Sequence, residues 1–261
     1  MRRNQLFWGA VLLLVGGLML LDAMGIELPN GRSLMSLFWP ILLIGFGGWV
    51  LLGVFLRGNV ETETASIDMQ GARDAAVRIN HGAGELRLHS GASGNELLHG
   101  SFIGGLEHKS SLIGDRLDVR MEPAKDVMDF PFFGFRQQLD WDASFNAAVP
   151  TTLDLNLGAN KSNIDLRDMM VTDIKLKSGA SETTMTLPSA GRLRADFEIG
   201  AASLTLIVPD GVSIRVYSAI GAGDINVDRS RFPRDVSPDF ETAANAVDIN
   251  IKGGACSVRV K

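Results

Sequence analysis

Two short sequences that join a glycine-rich turn to an acidic residue, Gly84-Glu85 and Gly223-Asp224, are the first candidates for chemistry in this chain. Calcium-binding β-rolls place an acidic residue at every glycine-rich turn, because Ca²⁺ needs several oxygen ligands. Two acidic turns supply too few carboxylates for such a roll. The sequence therefore predicts no bound calcium, and we expect no cofactor or other metal.

The remaining carboxylates and the histidines are weaker candidates. Asp154, Asp165 and Asp168 suggest the paired acids of a glycoside hydrolase. Asp154 and Asp165 fall on outward positions of alternating runs, however, where a solvated surface is the commoner arrangement. His81 and His89 flank one glycine turn and are expected to be exposed strand ends. Spacings typical of metal ligands are absent among all four histidines, His81, His89, His99 and His108.

Motifs that identify common enzyme classes do not occur. The sequence has no phosphate-binding loop, no nucleophile elbow and no His-Glu-x-x-His zinc motif. We therefore expect a protein that is not an enzyme. A carbohydrate-active β-helix enzyme is the less favoured alternative, because some β-helices hold such carboxylates in a groove.

A repeat organises the centre of the chain. The doublets Gly158-Ala159, Gly179-Ala180, Gly200-Ala201 and Gly221-Ala222 each lie 21 residues after the previous one. Runs in which every second residue is apolar precede and follow each doublet. Such alternation is typical of half-buried strands. A fixed period of this length is typical of solenoids, in which a unit buries its apolar face only against its neighbours.

Two further copies extend the repeat. One contains Gly82-Ala83; the other contains Gly254-Ala255, which comes 33 residues after Gly221, so that an insertion of 12 is placed within residues 228–242. We interpret each doublet as a corner between two strands, because glycine tolerates the backbone angles of a sharp turn and alanine fits where turns stack. The predicted structural corner residues are Gly82, Gly158, Gly179, Gly200, Gly221 and Gly254.

Residues 1–57 are predicted to form a helical hairpin in a membrane. Two apolar segments, about 5–22 and 34–56, are each close to the ~20 residues that a helix needs to cross a bilayer. The link between them holds the turn signal Pro29-Asn30-Gly31. A cleaved signal peptide is the alternative, but no clear small-x-small site occurs near Ala23 and a second span follows at once. The lipid bilayer is therefore a predicted partner.

Charges beside the spans predict their orientation. Arg2 and Arg3 precede the first span and Arg57 follows the second, whereas the link holds one arginine and two acidic residues. The positive-inside rule places both ends, and the domain that follows, in the cytoplasm. The predicted location is the inner (cytoplasmic) membrane, with a multi-pass topology.

The rest of the composition limits partners and redox chemistry. The net charge of the chain is −5, and the first 60 residues are net basic, so the remainder is acidic. An acidic surface argues against nucleic acid, whose phosphates need clustered lysine and arginine. Cys256 is the single cysteine, which excludes an intrachain disulfide. It shares a face with Val258 and Val260, and we predict a buried small hydrophobic residue.

Beyond the hairpin we predict a linker or edge strand over 58–74 and a β-repeat domain over 75–261. Within that domain, segment 122–140 interrupts the alternation with two prolines and several phenylalanines. Exposed phenylalanines would form an apolar patch that needs a partner or a membrane surface. Equally, the segment could cap an open end of the stack. The candidate contact residues are Phe130, Phe132, Phe133 and Phe135.

Several segments resemble a family of bacterial envelope proteins. Gly16-Gly17-Leu18 in the first span and Phe38–Gly45 in the second are similar to the two-helix membrane module of LiaF-like proteins. The runs Leu153–Ala159 and Ile220–Ile225 resemble the toastrack domain, a module of stacked strands fused to such segments. The resemblance covers nearly the whole chain. The expected fold is an all-β, solenoid-like stack of short strands of the toastrack type, preceded by a two-helix transmembrane hairpin.

The residue after each doublet departs from the acidic glycine turn of that family. The turn is intact only at Gly84-Glu85 and Gly223-Asp224, and the other four copies have Asn160, Ser181, Ala202 and Cys256. The strand architecture tolerates these residues. The family is not known by a catalytic motif, so the resemblance implies no active residues.

The resemblance implies a non-catalytic, membrane-anchored regulator or scaffold of the bacterial cell-envelope stress response, acting through protein–protein contacts of the β-repeat domain. Its expected partner is a membrane signalling protein or a second copy of the chain. The alternative is an envelope-facing structural or adhesive binding module. Topology separates these functions, because a cytoplasmic domain cannot reach cell-wall glycans.

Overall fold

The computed structural model describes residues 62–124 and 139–261, with isolated residues between Gly9 and Gly47. The chain divides into two compact units, Met1–Asn59 and Val60–Lys261. The described residues of the first unit are helical in both predicted spans, and they expose large apolar side chains such as Leu13 and Ile44. The hairpin itself stays a prediction, because most of its residues lie outside the described ones.

No helix among the described residues has the length and apolar character needed to cross a membrane. The second unit consists, in its described part, of strands and one short 3-10 helix, Pro233–Asp235. The strands are β1 (Thr62–Asp68), β2 (Asp74–Ala92), β3 (Glu96–Ile103), β4 (Leu106–Ile113), β5 (Arg116–Pro123), β6 (Asp140–Asn146), β7 (Thr151–Asp165), β8 (Val171–Ser178), β9 (Glu182–Thr186), β10 (Arg192–Ile199), β11 (Ser203–Ile207), β12 (Ser213–Val227) and β13 (Ala246–Val260).

Each regular repeat consists of two arms that meet at a Gly-Ala doublet. In β2, β7, β12 and β13 one long strand runs through the doublet. In the other repeats the chain bends at the doublet and divides into β8 and β9, or β10 and β11. Neighbouring repeats pair in parallel with their doublets aligned, so that Ala83 lies beside Ala159 and Ala222 beside Ala255.

The two sets of arms form two faces around one core. First arms follow the order β4, β5, β2, β7, β8, β10, β13, β12, and second arms the order β1, β3, β6, β2, β7, β9, β11, β13, β12. Every second residue points inward, so Leu155, Leu176 and Phe197 lie side by side and are buried. Burial of such side chains stabilises the fold by ~1.5–3 kcal/mol each. The prediction of an all-β, solenoid-like stack is confirmed.

The spatial order of the repeats differs from their order in the sequence. The last strand, β13, lies between β10–β11 and β12 and pairs with all three. Segment 228–245 connects the outer strand β12 back to β13, and its Val236 bridges to Arg215 of β12. The long connection exists because the chain must pass the edge of β12 before it can re-enter the stack.

The other end of the stack is an irregular repeat closed by antiparallel strands. β5 pairs with the first arm of β2 and β6 with the second arm. β4 then pairs with β5, and β3 with both β6 and β1. In the order of the arms, the segment between β5 and β6 therefore corresponds to the Gly-Ala doublet of the other repeats. The four phenylalanines predicted as contacts belong to that segment and lie outside the described residues.

Candidate interaction surfaces beside the glycine column

The six glycines predicted as corners lie side by side in neighbouring strands. Strand pairing gives their spatial order as Gly82, Gly158, Gly179, Gly200, Gly254 and Gly221. We call this row the glycine column. Since adjacent strands are about 4.8 Å apart, the column is roughly 24 Å long.

Close packing, rather than backbone angle, explains glycine at the tightest positions. None of the six glycines has a positive φ angle, so the reasoning from turn conformation is wrong. A Cβ atom on Gly158 would overlap the carbonyl oxygen of Gly82, and one on Gly200 would lie 2.7 Å from that of Gly179. A Cβ atom on Gly82 would meet nothing within 4 Å. Whether all six are required corners stays a prediction.

The residue after each doublet decides how the corner is filled. Gly84 and Gly223 have φ angles of 102° and 152°, and a Cβ atom on either would overlap backbone of a neighbouring segment. In the other four repeats this position holds a buried side chain instead: Asn160, Ser181, Ala202 and Cys256. The side chains of these four residues, which stand in place of the acidic turn, therefore fill the inside of the bend. The prediction that Cys256 is a buried small residue is confirmed.

His81 is buried at the corner of β2, so the prediction of an exposed strand end is wrong for this residue. Its Nε2–H donates to the carbonyl oxygen of Leu139 over 2.9 Å, and its Nδ1 accepts from the Asn160 amide over 3.1 Å. This pattern requires a neutral imidazole. Burial lowers the pKa of His81, and the bond to Leu139 and the charge of Asp140 offset only part of that effect.

We expect His81 to make the fold less stable in acid. The unfolded chain takes up a proton at the ordinary histidine pKa of about 6.5, whereas folded His81 resists protonation. The contribution of neutral His81 to the free energy of unfolding is therefore present above that pH and is lost as the pH falls below it. Denaturant titrations of the fragment from Val60 onward should show a shallower loss of stability between about pH 7 and pH 5 in His81→Gln than in the parent.

A broad groove follows the glycine column. Its volume is about 1180 Å³, and five of the six column glycines, all except Gly221, form a floor without side chains. One wall is a row of outward residues two positions before each glycine: Asn80, Asn156, Lys177, Glu198, Lys252 and Ala219. Glu107, Glu122 and Pro123 line the end nearest β5. We call this feature the corner groove.

The wall of the corner groove alternates in charge. Lys177 Nζ lies 3.0 Å from a carboxylate oxygen of Glu198, and both side chains are more than half exposed. Asn156 donates to Asn80, which in turn donates to Glu122 over 2.7 Å. Polar side chains therefore line the wall from Asn80 to Lys252, and Ala219 ends it. A row of polar and charged side chains beside a floor of bare backbone suits an extended polypeptide.

The carboxylates of the groove do not form a hydrolase pair. Glu107 and Glu122 are opposite each other in β4 and β5. Glu122 accepts hydrogen bonds from Arg120 and Asn80, which lower its pKa, so it is a poor proton donor. A glycoside hydrolase needs an acid with a raised pKa. Three strands lie between β5 and β10, so Glu122 and Glu198 are four strand spacings, or roughly 19 Å, apart.

The other carboxylates proposed from the sequence are dispersed over the surface. Asp154 pairs with Arg78 at 2.7 Å and Asp165 with Arg167 at 3.7 Å, while Asp168 is exposed. Among the described residues, no three histidine, cysteine or acidic side chains are placed to bind a metal ion.

A serine, a histidine and an aspartate do meet on the second face. His89 uses Nε2 both for Asp142, at 2.9 Å, and for Ser144, at 3.5 Å, while its Nδ1 faces the carbonyl oxygen of Ser90. A hydrolytic triad needs the serine and the aspartate on different ring nitrogens. The cluster therefore lacks the geometry of a nucleophilic site.

Comparison with known proteins identifies both parts of the chain. A family model described as the N-terminal domain of toast_rack, DUF2154, matches residues 56–207. The chain belongs to the toastrack family. A model described as the LiaI-LiaF-like transmembrane region matches residues 6–51, so this is a LiaF-like toastrack membrane protein. None of the curated proteins compared matches it.

A solved structure shares the fold. It is described as a putative cell adhesion protein from Clostridium sporogenes, and it has 17% sequence identity and a TM-score of 0.68. The match covers 77% of this toastrack protein and 98% of that chain. At this level of identity the similarity shows the fold alone.

Proposed function

We propose that this toastrack protein is a non-catalytic, membrane-anchored regulator or scaffold in cell-envelope stress signalling. Its β-repeat domain acts through contacts with other proteins. The corner groove supports this function, because it is a large surface feature and its carboxylates do not suit hydrolysis. A LiaF-like membrane region and a toastrack domain in one chain are consistent with this role.

The groove suits an extended segment of a membrane signalling protein. Its floor of glycines lets another backbone approach closely. Its length of roughly 24 Å equals about seven residues of extended chain. Lys177, Glu198 and Lys252 on the wall offer alternating charges for recognition of polar side chains. The structural corner role of the six column glycines belongs to the same proposal, since five of them form the floor.

The proposed location is the inner membrane, with two spans and the β-repeat domain in the cytoplasm. A reporter enzyme that is active only outside the cytoplasm should be silent when fused after Lys261 and active when inserted near Asn30. The reason is the excess of arginine before the first span and after the second, compared with the link between them. Each fusion is expressed in its own strain of the same background, and colony assays measure the activity of the reporter. A reporter that is active only in the cytoplasm, fused at the same two sites, is the control.

The reverse pattern would support the second candidate function, an envelope-facing adhesive or structural module. The motive for that candidate is a structure with the same fold that is described as a putative cell adhesion protein. A domain outside the cytoplasm could contact cell-wall material, whereas a cytoplasmic one could not. The result therefore separates the two functions.

The phenylalanine segment is proposed as a second contact surface. Phe130, Phe132, Phe133 and Phe135 belong to an insertion between β5 and β6, both of which pair with β2. Apolar side chains in a segment outside the alternating strands favour a partner protein or the bilayer surface. A cap over the end of the stack is the alternative.

A further inference from the structure

The stack ends in a strand whose outer edge is open. β12 pairs along its length with β13 only. Segment 228–245 covers the start of its outer edge: Ile214 N–H donates to Ser237 Oγ, and Ser237 N–H donates to the Ile214 carbonyl oxygen, both over 2.8 Å. Beyond Val216, no other described segment pairs with this edge. We call Tyr217–Asn226 the open edge; its residues are exposed except Ile220 and Ile225, which are half-buried.

The open edge has the features of an edge strand that can pair with a further strand. In a parallel ladder, alternate residues direct their N–H and C=O groups to opposite sides. Since Ile214 directs both groups outward, Ser218 and Ile220 of the same arm do so too. Edge strands are usually protected by lysine, proline or a bulge. From Tyr217 to Asn226 there is neither lysine nor proline, and Asp224 is the single charged residue.

The shape of the open edge selects its partner. β12 passes through its corner at Gly221-Ala222, and both of its arms pair with β13, which has its own doublet at the same level. A straight strand could therefore pair with only one arm. A partner that pairs with both arms must bend at the same place, as the repeats of this chain do. A second copy of β12 meets this requirement when a two-fold axis passes through the corner, because the rotation exchanges the two arms.

The open edge carries little charge that could oppose this exchange. Asp224 is its single charged residue, and Arg215, before the open edge, is already paired with Asp248 and Glu241. An axis between Gly221 and Ala222 places Asp224 opposite Ala219 of the other copy, so no like charges meet. Ile220 and Ile225, left half-buried at the end of the core, would then be covered.

We propose that two copies of this protein pair edge to edge through Tyr217–Asn226, antiparallel about a two-fold axis at Gly221-Ala222. The pairing does not depend on what binds the corner groove, so either proposal can fail alone. Anchoring in one membrane would raise the local concentration of the two edges.

Disulfide cross-linking of the full chain in its native membrane tests the pairing. Ala222→Cys, in a Cys256→Ala background, places a thiol beside the axis. The matched control is Ala180→Cys, an equally exposed doublet alanine in the middle of the stack. We expect about ten-fold more covalent dimer from Ala222→Cys. Equal cross-linking of the two variants, no dimer from either, or an Ala222→Cys adduct with another protein only would overturn the proposal.

A second variant separates pairing from folding. Proline at an edge is tolerated where the N–H faces outward. Ser218→Pro should therefore preserve the melting temperature yet reduce the Ala222→Cys dimer about ten-fold, while Ser218→Ala should preserve both. If Ser218→Pro lowers the melting temperature, Ser218→Lys replaces it, because a lysine blocks an edge without removing an N–H. A stable blocking variant that still gives the full amount of dimer would contradict the proposal.

Discussion

Replacing Gly158 with valine is expected to lower the free energy of unfolding by roughly 2–4 kcal/mol. A Cβ atom at this position would overlap the carbonyl oxygen of Gly82 in the adjacent strand. Neither backbone can move easily, because β2 and β7 are paired on both sides of the doublet from Ala75 to Leu88. Denaturant unfolding of the fragment from Val60 onward measures the change.

The same substitution along the glycine column supplies the controls. Gly82→Val should cost much less, because its Cβ atom would have open space. Gly200→Val should fall between the two, with its Cβ atom 2.7 Å from the Gly179 oxygen. Lys177→Gln, which removes only an exposed ion pair, should change stability by about 0.5 kcal/mol or less. Equal losses for Gly158→Val and Gly82→Val would disprove the close-packed column.

Replacing Phe132 and Phe133 together with serine is expected to abolish signalling while the domain stays folded. These residues lie in the insertion between β5 and β6, where the alternating pattern gives them no position in the core. If they contact a partner, serine removes apolar area worth ~1.5–3 kcal/mol for each buried ring. A stress-response reporter strain measures signalling, and the melting temperature of the purified variant measures folding.

The two interpretations of the phenylalanines differ in outcome. Loss of signalling with an unchanged melting temperature supports a contact surface. Unfolding or aggregation supports a cap over the end of the stack. A double variant that is both fully stable and fully active would rule out both interpretations.

Alternation and spacing predicted most of the strands, because side chains in a strand alternate between the two faces. They did not predict which repeats are neighbours. Gly82 lies beside Gly158 although 76 residues separate them, and β13 lies inside β12. A repeat period fixes the length of each unit, whereas the order of units depends on where long connections run. The placement of β13 became visible only through its strand pairing.

The burial of His81 was available in the sequence but was missed. His81 follows Val77 and Ile79 at two-residue intervals, and all three point inward. By the same alternation, Asn160 precedes Ser162 and Ile164 on the buried side of β7. The corner groove could not be found this way, because it depends on six strands from distant parts of the chain lying in one order.

The proposal that the β-repeat domain works through protein contacts at the corner groove is tested most directly by site-specific photo-cross-linking in membranes. A photoreactive residue in place of Lys177 lies on the groove wall, and one in place of Glu182 is equally exposed on the second arm of the same repeat. The proposal predicts a discrete adduct with one membrane protein from position 177 and not from position 182. Identical adducts from the two positions, or an adduct from position 182 alone, would contradict it.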